Sequence, residues 1–137
     1  MIIIADNDAA QRERLRALLD RHGLMALAVP LDGGLGGTIA AHRPAVIAAG
    51  VVLDRESDEV ALIQVLRKQG ALDGARLVLL AATAPARNPA LVKKGRLEIA
   101  CDAYLDKPVD AVEFIRTVRA LVPAAGAPPL VSSAVGS

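Results

Sequence analysis

Residues 44–54 read PAVIAAGVVLD, an apolar run with a proline at its entrance and an acid at its exit. A continuous apolar run of this length is typical of a strand buried on both faces, as in the centre of a parallel sheet. In open parallel sheets the chemistry lies just outside the carboxyl ends of such strands. Here the strand carries Gly50 near that end, and the first acid, Asp54, follows four residues later.

Composition narrows the class of protein. The chain has 137 residues, which suits one domain, and its net charge of +1 argues against a nucleic-acid or anionic-membrane footprint. No apolar run reaches the ~20 residues of a membrane span, and the chain opens with strand-like Ile2–Ile4 rather than a cleavable leader. Cys101 is the single cysteine, expected to be a small buried core residue, so no intramolecular disulfide can form. We therefore expect a cytoplasmic protein.

Hydrophobic periodicity predicts alternating strands and helices. The predicted strands are residues 1–5, 24–29, 45–53, 77–82 and 100–105. The first predicted helix is capped by Asp8 or Asn7 and ends at Gly23. The second is short, because its glycines weaken it, and ends at His42. The third is capped by Ser57 and runs to about residue 68. They are followed by a fourth over residues 85–97 and a last over residues 110–121 with Ala111, Ile115, Val118 and Val122 inward. This alternation predicts an α/β fold, a doubly wound five-stranded parallel sheet over residues 1–122. Residues 123–137 have the composition of a linker or tail.

Three residues of chemical interest fall at neighbouring strand ends if the strand order is 2-1-3-4-5. They are Asp6 after the first strand, Gly50 in the third and Lys107 after the fifth. An acidic pair, a central aspartate and a lysine at these places would form a Mg²⁺ and phosphoryl site. This sequence has the first acid, Asp6, and the lysine, Lys107, of such a site, but it has Gly50 in place of the central aspartate.

The sequence resembles a response-regulator receiver domain over residues 1 to about 122. Three stretches carry the resemblance: IIIADND at residues 2–8, HRP before the central strand at residues 42–44, and CDAYLDKP at residues 101–108. The last is the most specific, with its aromatic residue, lysine and following proline. The resemblance implies a CheY-like (flavodoxin-like) fold with strand order 2-1-3-4-5.

The resemblance fails where the family's chemistry lies. The first acid is kept as Asp6, but the second is Asn7. Gly50 stands at the family's phosphoacceptor position, and the hydroxyl residue ending the fourth strand maps to Ala81. Glycine cannot be phosphorylated, and two of three carboxylates are missing, so Mg²⁺ binding is expected to be weak or absent. The resemblance therefore implies a degenerate receiver without the usual aspartyl-phosphate switch.

The family's other markers are retained. Lys107 matches its lysine and Tyr104 its switch aromatic, and Pro108 is expected to follow a cis bond. Without an acceptor, Asp6 and Lys107 are expected to form an ion pair across the strand ends. Tyr104 has an equally good explanation as a half-buried residue of an edge strand.

A second alignment stays open. If the third strand ran four residues longer, Asp54 would be the phosphoacceptor and Thr83 would supply the hydroxyl. The spacing from Asp54 to Lys107 favours this alignment. The nearly gapless match from Asp32 to Pro44 favours Gly50.

Three functions follow, in descending order. The first is a non-enzymatic, phosphorylation-independent protein-interaction module in bacterial signal transduction, with no cofactor. Its partner, or a second copy, would dock on the last helix, the Tyr104 strand and the fourth predicted helix, with no nucleic acid or membrane involved. The second is a conventional receiver phosphorylated on Asp54, and the third is a small-molecule-binding flavodoxin-like domain.

Overall fold

The computed structural model of the protein describes residues 1–52, 58–82 and 101–123. Its strands are β1 (Ile2–Ala5), β2 (Ala26–Val29), β3 (Val46–Val52), β4 (Arg76–Ala82) and β5 (Ala103–Lys107). The helices in these ranges are α1 (Ala9–Arg21), α2 (Leu35–His42), α3 (Asp58–Lys68) and the C-terminal helix α4 (Ala111–Leu121). The strands form one parallel sheet in the order β2-β1-β3-β4-β5. The predicted fold class and strand order are confirmed.

The central strand β3 is buried on both faces because two helical layers cover the sheet. Ile47, Ala49 and Val51 pack in a core with α2 and α3. Val46 and Ala48 point the other way and pack in a second core with α1 and α4. Side chains of a strand alternate between faces, so a strand covered on both sides must be apolar at every position.

Helix ends agree with the sequence signals where the structure describes them. Asp8 caps α1 by accepting a hydrogen bond from the Gln11 N–H at 3.1 Å, and Asp110 caps α4 through the Glu113 N–H at 2.9 Å. The second helix is short, as its glycines predict, with eight residues and no side-chain cap. Such caps fix where each helix leaves the sheet edge.

Two local expectations are wrong. The fifth strand starts at Ala103, not at residue 100, and continues through Lys107. Asp102 precedes it and accepts a hydrogen bond from the Leu77 N–H at 2.8 Å. Cys101 therefore lies before the strand and is exposed instead of buried. The helix predicted over residues 85–97, the Ser57 cap and residues 124–137 lie outside the described residues.

The inner face of α4 was predicted incompletely. Its buried residues are Phe114, Ile115 and Val118, whereas Ala111 and Val122 lie partly buried at its ends. Phe114 is fully buried and is the only phenylalanine of the chain. None of the helices in the described part of the chain is long and apolar enough to cross a membrane.

Candidate functional site: the carboxyl edge of the sheet

Among the described residues, Asp6 is the one acid that is buried, and its exposed fraction is 3%. It follows β1, and its N–H donates to the Val29 carbonyl at 3.1 Å. Its Oδ1 accepts from the Asp8 N–H at 2.9 Å, and its carbonyl accepts from Arg12 Nη1 at 2.9 Å. Backbone and side chain are thus both held, and the carboxylate is aimed across the edge of the sheet.

Gly50 lies beside Asp6, one pair beyond the register partners Ala5 and Ala49. A Cβ built on Gly50 would overlap the Oδ2 and Cγ atoms of Asp6. The Asp6 carboxylate therefore occupies the space that a side chain at position 50 would need. Gly50 is required here by close approach, and the space of a central acceptor side chain is filled by the acid of the neighbouring strand.

Lys107 supplies the opposite charge. Its Nζ lies 2.7 Å from Asp6 Oδ2, and the two side chains are 20% and 4% exposed, respectively. Apart from this ion pair, Oδ2 has no hydrogen-bond partner among the described residues. At this distance one of the three freely rotating N–H donors of the ammonium group can point at Oδ2. Removing one partner would leave a buried charge uncompensated, which is strongly destabilising.

Lys107 does not stand level with Gly50. It pairs with Ala82 of β4, and Ala82 pairs with Val52 of β3. Lys107 is therefore two residues nearer the carboxyl edge than Gly50, and its side chain reaches Asp6 from there. Asp54 and Thr83, the residues of the second alignment, lie outside the described residues.

Ala81, which the resemblance aligns with the family's hydroxyl residue, lies on the sheet face opposite the Asp6 side chain. It packs in the core of α2 and α3, on the opposite face from Leu80. Gly50 pairs with Leu80 of β4. Because side chains alternate along a strand, the next β4 residue, Ala81, points to the face opposite Leu80. A sequence match does not show which face of a strand a residue takes.

Asn7 is a structural tie between three segments. Its Oδ1 accepts from the Leu31 N–H at 2.9 Å, and its Nδ2 donates to Glu59 Oε2 at 3.1 Å. An aspartate could accept the first hydrogen bond but could not donate the second. The contact with Glu59 in the first turn of α3 had no signal in the sequence, because the two residues are 52 positions apart.

The remaining family markers lie near this edge. Tyr104 of β5 pairs with Leu79 and is 38% exposed, on the sheet face opposite Lys107. The Lys107–Pro108 peptide bond is cis. The Val109 carbonyl after it accepts from Arg14 Nη2 at 3.1 Å, which ties this turn to α1.

The described residues at this edge fit a divalent cation poorly. Asp6 Oδ1 already accepts a hydrogen bond from a backbone N–H, and Asp6 Oδ2 is paired with Lys107. The side-chain oxygen of Asn7 accepts from the Leu31 N–H. Mg²⁺ in proteins is held by carboxylates that can face the ion. No group of three or more histidine, cysteine or acidic residues able to hold a metal occurs in the described ranges.

Comparison with protein-family models finds no match, and none is found among curated proteins. Solved structures do match. The signal receiver domain of a signal transduction histidine kinase from Syntrophus aciditrophicus is 27% identical, with a TM-score of 0.70, covering 88% of this chain and 87% of that one. The Francisella response regulator 1452 receiver domain is 24% identical, with a TM-score of 0.67 and coverages of 88% and 93%.

A third similar structure is the chemotaxis protein CheY4 of Vibrio cholerae. It is 15% identical, with a TM-score of 0.67, and the match covers 88% of this chain and 97% of that one. At such identities the likeness concerns the fold, and it agrees with the strand order and helical layers described above. The protein has the receiver-domain fold of two-component signalling.

Proposed function

We propose that the protein is a degenerate receiver, a non-catalytic protein-interaction module of bacterial signal transduction that works without phosphorylation. The observation that carries this proposal is the overlap between a side chain at Gly50 and the Asp6 carboxylate. A phosphoacceptor needs an exposed carboxylate oxygen that can attack a phosphorus atom. At this place there is no side chain, and the neighbouring carboxylate is buried and paired with Lys107.

The Asp6–Lys107 pair also bears on switching. A ligand shifts an equilibrium between two conformations only if it binds one of them better. Lys107, which would neutralise an incoming phosphoryl charge, already neutralises Asp6 at 2.7 Å. The site is thus held in one charge-balanced state, and regulation would come from the amount of protein or of its partner.

A conventional receiver using Asp54 is the second candidate, and one observation favours it. Lys107 is level with Val52, two residues beyond Gly50 and two before Asp54. Since alternate residues of an extended strand share a face, an extension of β3 would direct residue 54 to the side of Lys107. Small-molecule binding has less support: a pocket of the described residues, lined by Arg43, Pro44 and Asp73 among others, lies at the opposite, amino-terminal edge of the sheet.

Phosphorylation is the discriminating experiment. The full chain is incubated with acetyl phosphate and Mg²⁺, and intact mass is followed with time. We expect no species heavier by one phosphoryl group, since neither Gly50 nor the paired Asp6 offers an attacking oxygen. A receiver domain that is known to accept phosphate from acetyl phosphate serves as the positive control.

The same experiment on Asp54→Asn identifies the alternative. A phosphorylated wild-type species that disappears in Asp54→Asn would replace our proposal with the conventional receiver. A phosphorylated species that persists in Asp54→Asn would contradict both.

The partner surface of this module is proposed to include α4 and the β5 strand around Tyr104. Tyr104 is 38% exposed, so its ring presents apolar area to solvent. The residues 85–97 predicted to complete this surface lie outside the described residues. No nucleic-acid or membrane contact is proposed, and no cofactor.

A further inference from the structure

Four arginines on α1 and α4 form no ion pair with an acid of the described ranges. Arg14, Arg21, Arg116 and Arg119 are exposed, and the ion pairs of the described residues involve none of them. The whole chain carries a net charge of only +1. Four unneutralised guanidinium groups on one helix pair are therefore a local concentration of charge.

Two of these arginines span the space between the helices. Arg14 Nη2 of α1 donates to the Val109 carbonyl, just before α4, at 3.1 Å. Arg119 Nη2 of α4 donates to the His22 carbonyl, just after α1, at 3.1 Å. The start of α4 therefore lies beside the middle of α1 and its end beside the end of α1, so the two helices run side by side.

Helix geometry places the other two arginines on the same groove. Arg21 follows Arg14 by seven residues, which rotates it by only about 20° around α1. Arg116 precedes Arg119 by three residues, one turn away on α4. We call the surface formed by Arg14, Arg21, Arg116 and Arg119 the arginine groove.

Two acidic residues of α1 lie beside the groove and not in it. Glu13 and Asp20 each precede a groove arginine by one residue, which turns them about 100° away around α1. Glu13 is moreover paired with Arg16, whose guanidinium lowers the pKa of that carboxyl. On α4, Asp110 caps the helix. Glu113 lies about 120° from Arg119 but only about 60° from Arg116, so it borders the Arg116 end of the groove.

One apolar residue completes the groove. Val112 is 66% exposed and lies about 20° from Arg119 around α4. A surface that alternates cations with a methyl-bearing residue matches a partner carrying both carboxylates and an apolar side chain. Two parallel helices also leave a furrow for a third helix at the usual axial separation of about 8–10 Å.

We propose that the arginine groove binds an acidic amphipathic helix of a partner protein. A nucleic acid fits less well, because its phosphates continue beyond the groove onto the acidic flanks at Glu13, Asp20 and Glu113. The proposal goes beyond the function above and is independent of phosphorylation, since the groove shares no residue with Asp6, Gly50, Asp54 or Lys107.

The test uses a synthetic amphipathic helix with glutamates at i, i+4 spacing and leucines on one face. It is titrated at low salt into the full-length chain labelled with ¹⁵N, and amide shifts are mapped. We expect the largest shifts in α1 and α4. Arg21→Glu and Arg116→Glu should each weaken binding about tenfold, because each replaces an attraction by a repulsion.

Lys68→Glu is the matched control. Lys68 is exposed and lies in the last turn of α3, as Arg21 lies in the last turn of α1, so both variants change net charge and helix-dipole contact equally. We expect it to change affinity by no more than about twofold. Absence of shifts in α1 and α4 at millimolar peptide would overturn the proposal. Equal weakening by Lys68→Glu, or tighter binding of duplex DNA than of the peptide, would overturn it as well.

Discussion

At the residue scale, the unusual feature is the mutual dependence of Gly50 and Asp6. The carboxylate lies where a side chain at position 50 would be, and Lys107 holds it there. A glycine inside a strand normally weakens it, since it packs nothing and loses more backbone entropy on folding. Here the missing Cβ makes room for a buried ion pair that bridges β1 and β5.

Gly50→Ala should therefore destabilise the protein by about 2 kcal/mol, because the new methyl group forces the Asp6 carboxylate off its position. In an Asp6→Ala background the same change should cost close to nothing, since the obstructing carboxylate is gone. Denaturant unfolding of the four proteins of this cycle measures the coupling.

Gly37→Ala is the control for the glycine change itself. A Cβ at Gly37 in α2 meets nothing within 4 Å, and alanine favours a helix by roughly 1 kcal/mol over glycine. Equal costs of Gly50→Ala with and without the Asp6 carboxylate would show that these two side chains do not compete for space.

At the scale of elements, Asn7 joins the end of β1 to Leu31, which follows β2, and to the first turn of α3. An amide suits this place because it accepts from one group and donates to the other. Asn7, which stands where the family has its second acid, therefore also helps to position α3, the helix that follows the central strand.

Asn7→Asp should keep the hydrogen bond from the Leu31 N–H and lose the one to Glu59, leaving two carboxylates about a hydrogen bond apart. We expect a loss of about 1 kcal/mol in the free energy of unfolding at neutral pH and low salt, and a smaller loss at high salt. Thermal or urea unfolding at two salt concentrations measures it.

Glu59→Gln provides the matched background for that change, since a glutamine side chain could donate to the new carboxylate. There Asn7→Asp should cost less than in the wild type. A cost that is the same in both backgrounds would mean that the Asn7–Glu59 contact contributes nothing.

At the scale of the whole molecule, the sheet separates two cores of unlike make-up. The core of α2 and α3 is aliphatic, whereas the core of α1 and α4 contains Phe114, the largest fully buried side chain. In a protein with an aromatic fraction of 1%, one such ring fills much of the space between the last helix and the sheet.

Phe114→Leu should lower the free energy of unfolding by about 1–2 kcal/mol, through lost buried area and a residual cavity. Val112→Ala, two residues away on the same helix but 66% exposed, should change it by less than about 0.5 kcal/mol. Comparable losses in the two variants would mean that α4 does not pack as described.

The periodic features were predictable because they depend on neighbours in sequence. The alternation of strands and helices, the Asp8 cap and the short second helix all follow from local propensity and spacing, and the structure agrees. The start of β5 was misplaced because residues 99–101 (IAC) are as apolar as a strand, although Asp102 follows them. Pairing with Leu77 and Leu79 decides where the strand begins.

Local sequence patterns predicted the doubly wound sheet, and the resemblance to receiver domains implied its strand order and with it the meeting of Asp6, Gly50 and Lys107 at one edge. Apolar runs, caps and crossover handedness permit few other arrangements. The tertiary structure was needed to show that Ala81 lies on the opposite sheet face, that Asn7 contacts Glu59 and that the Asp6 carboxylate fills the space at Gly50. The reason is physical: the face a residue takes and the atoms it meets depend on strand register, which joins residues distant in sequence.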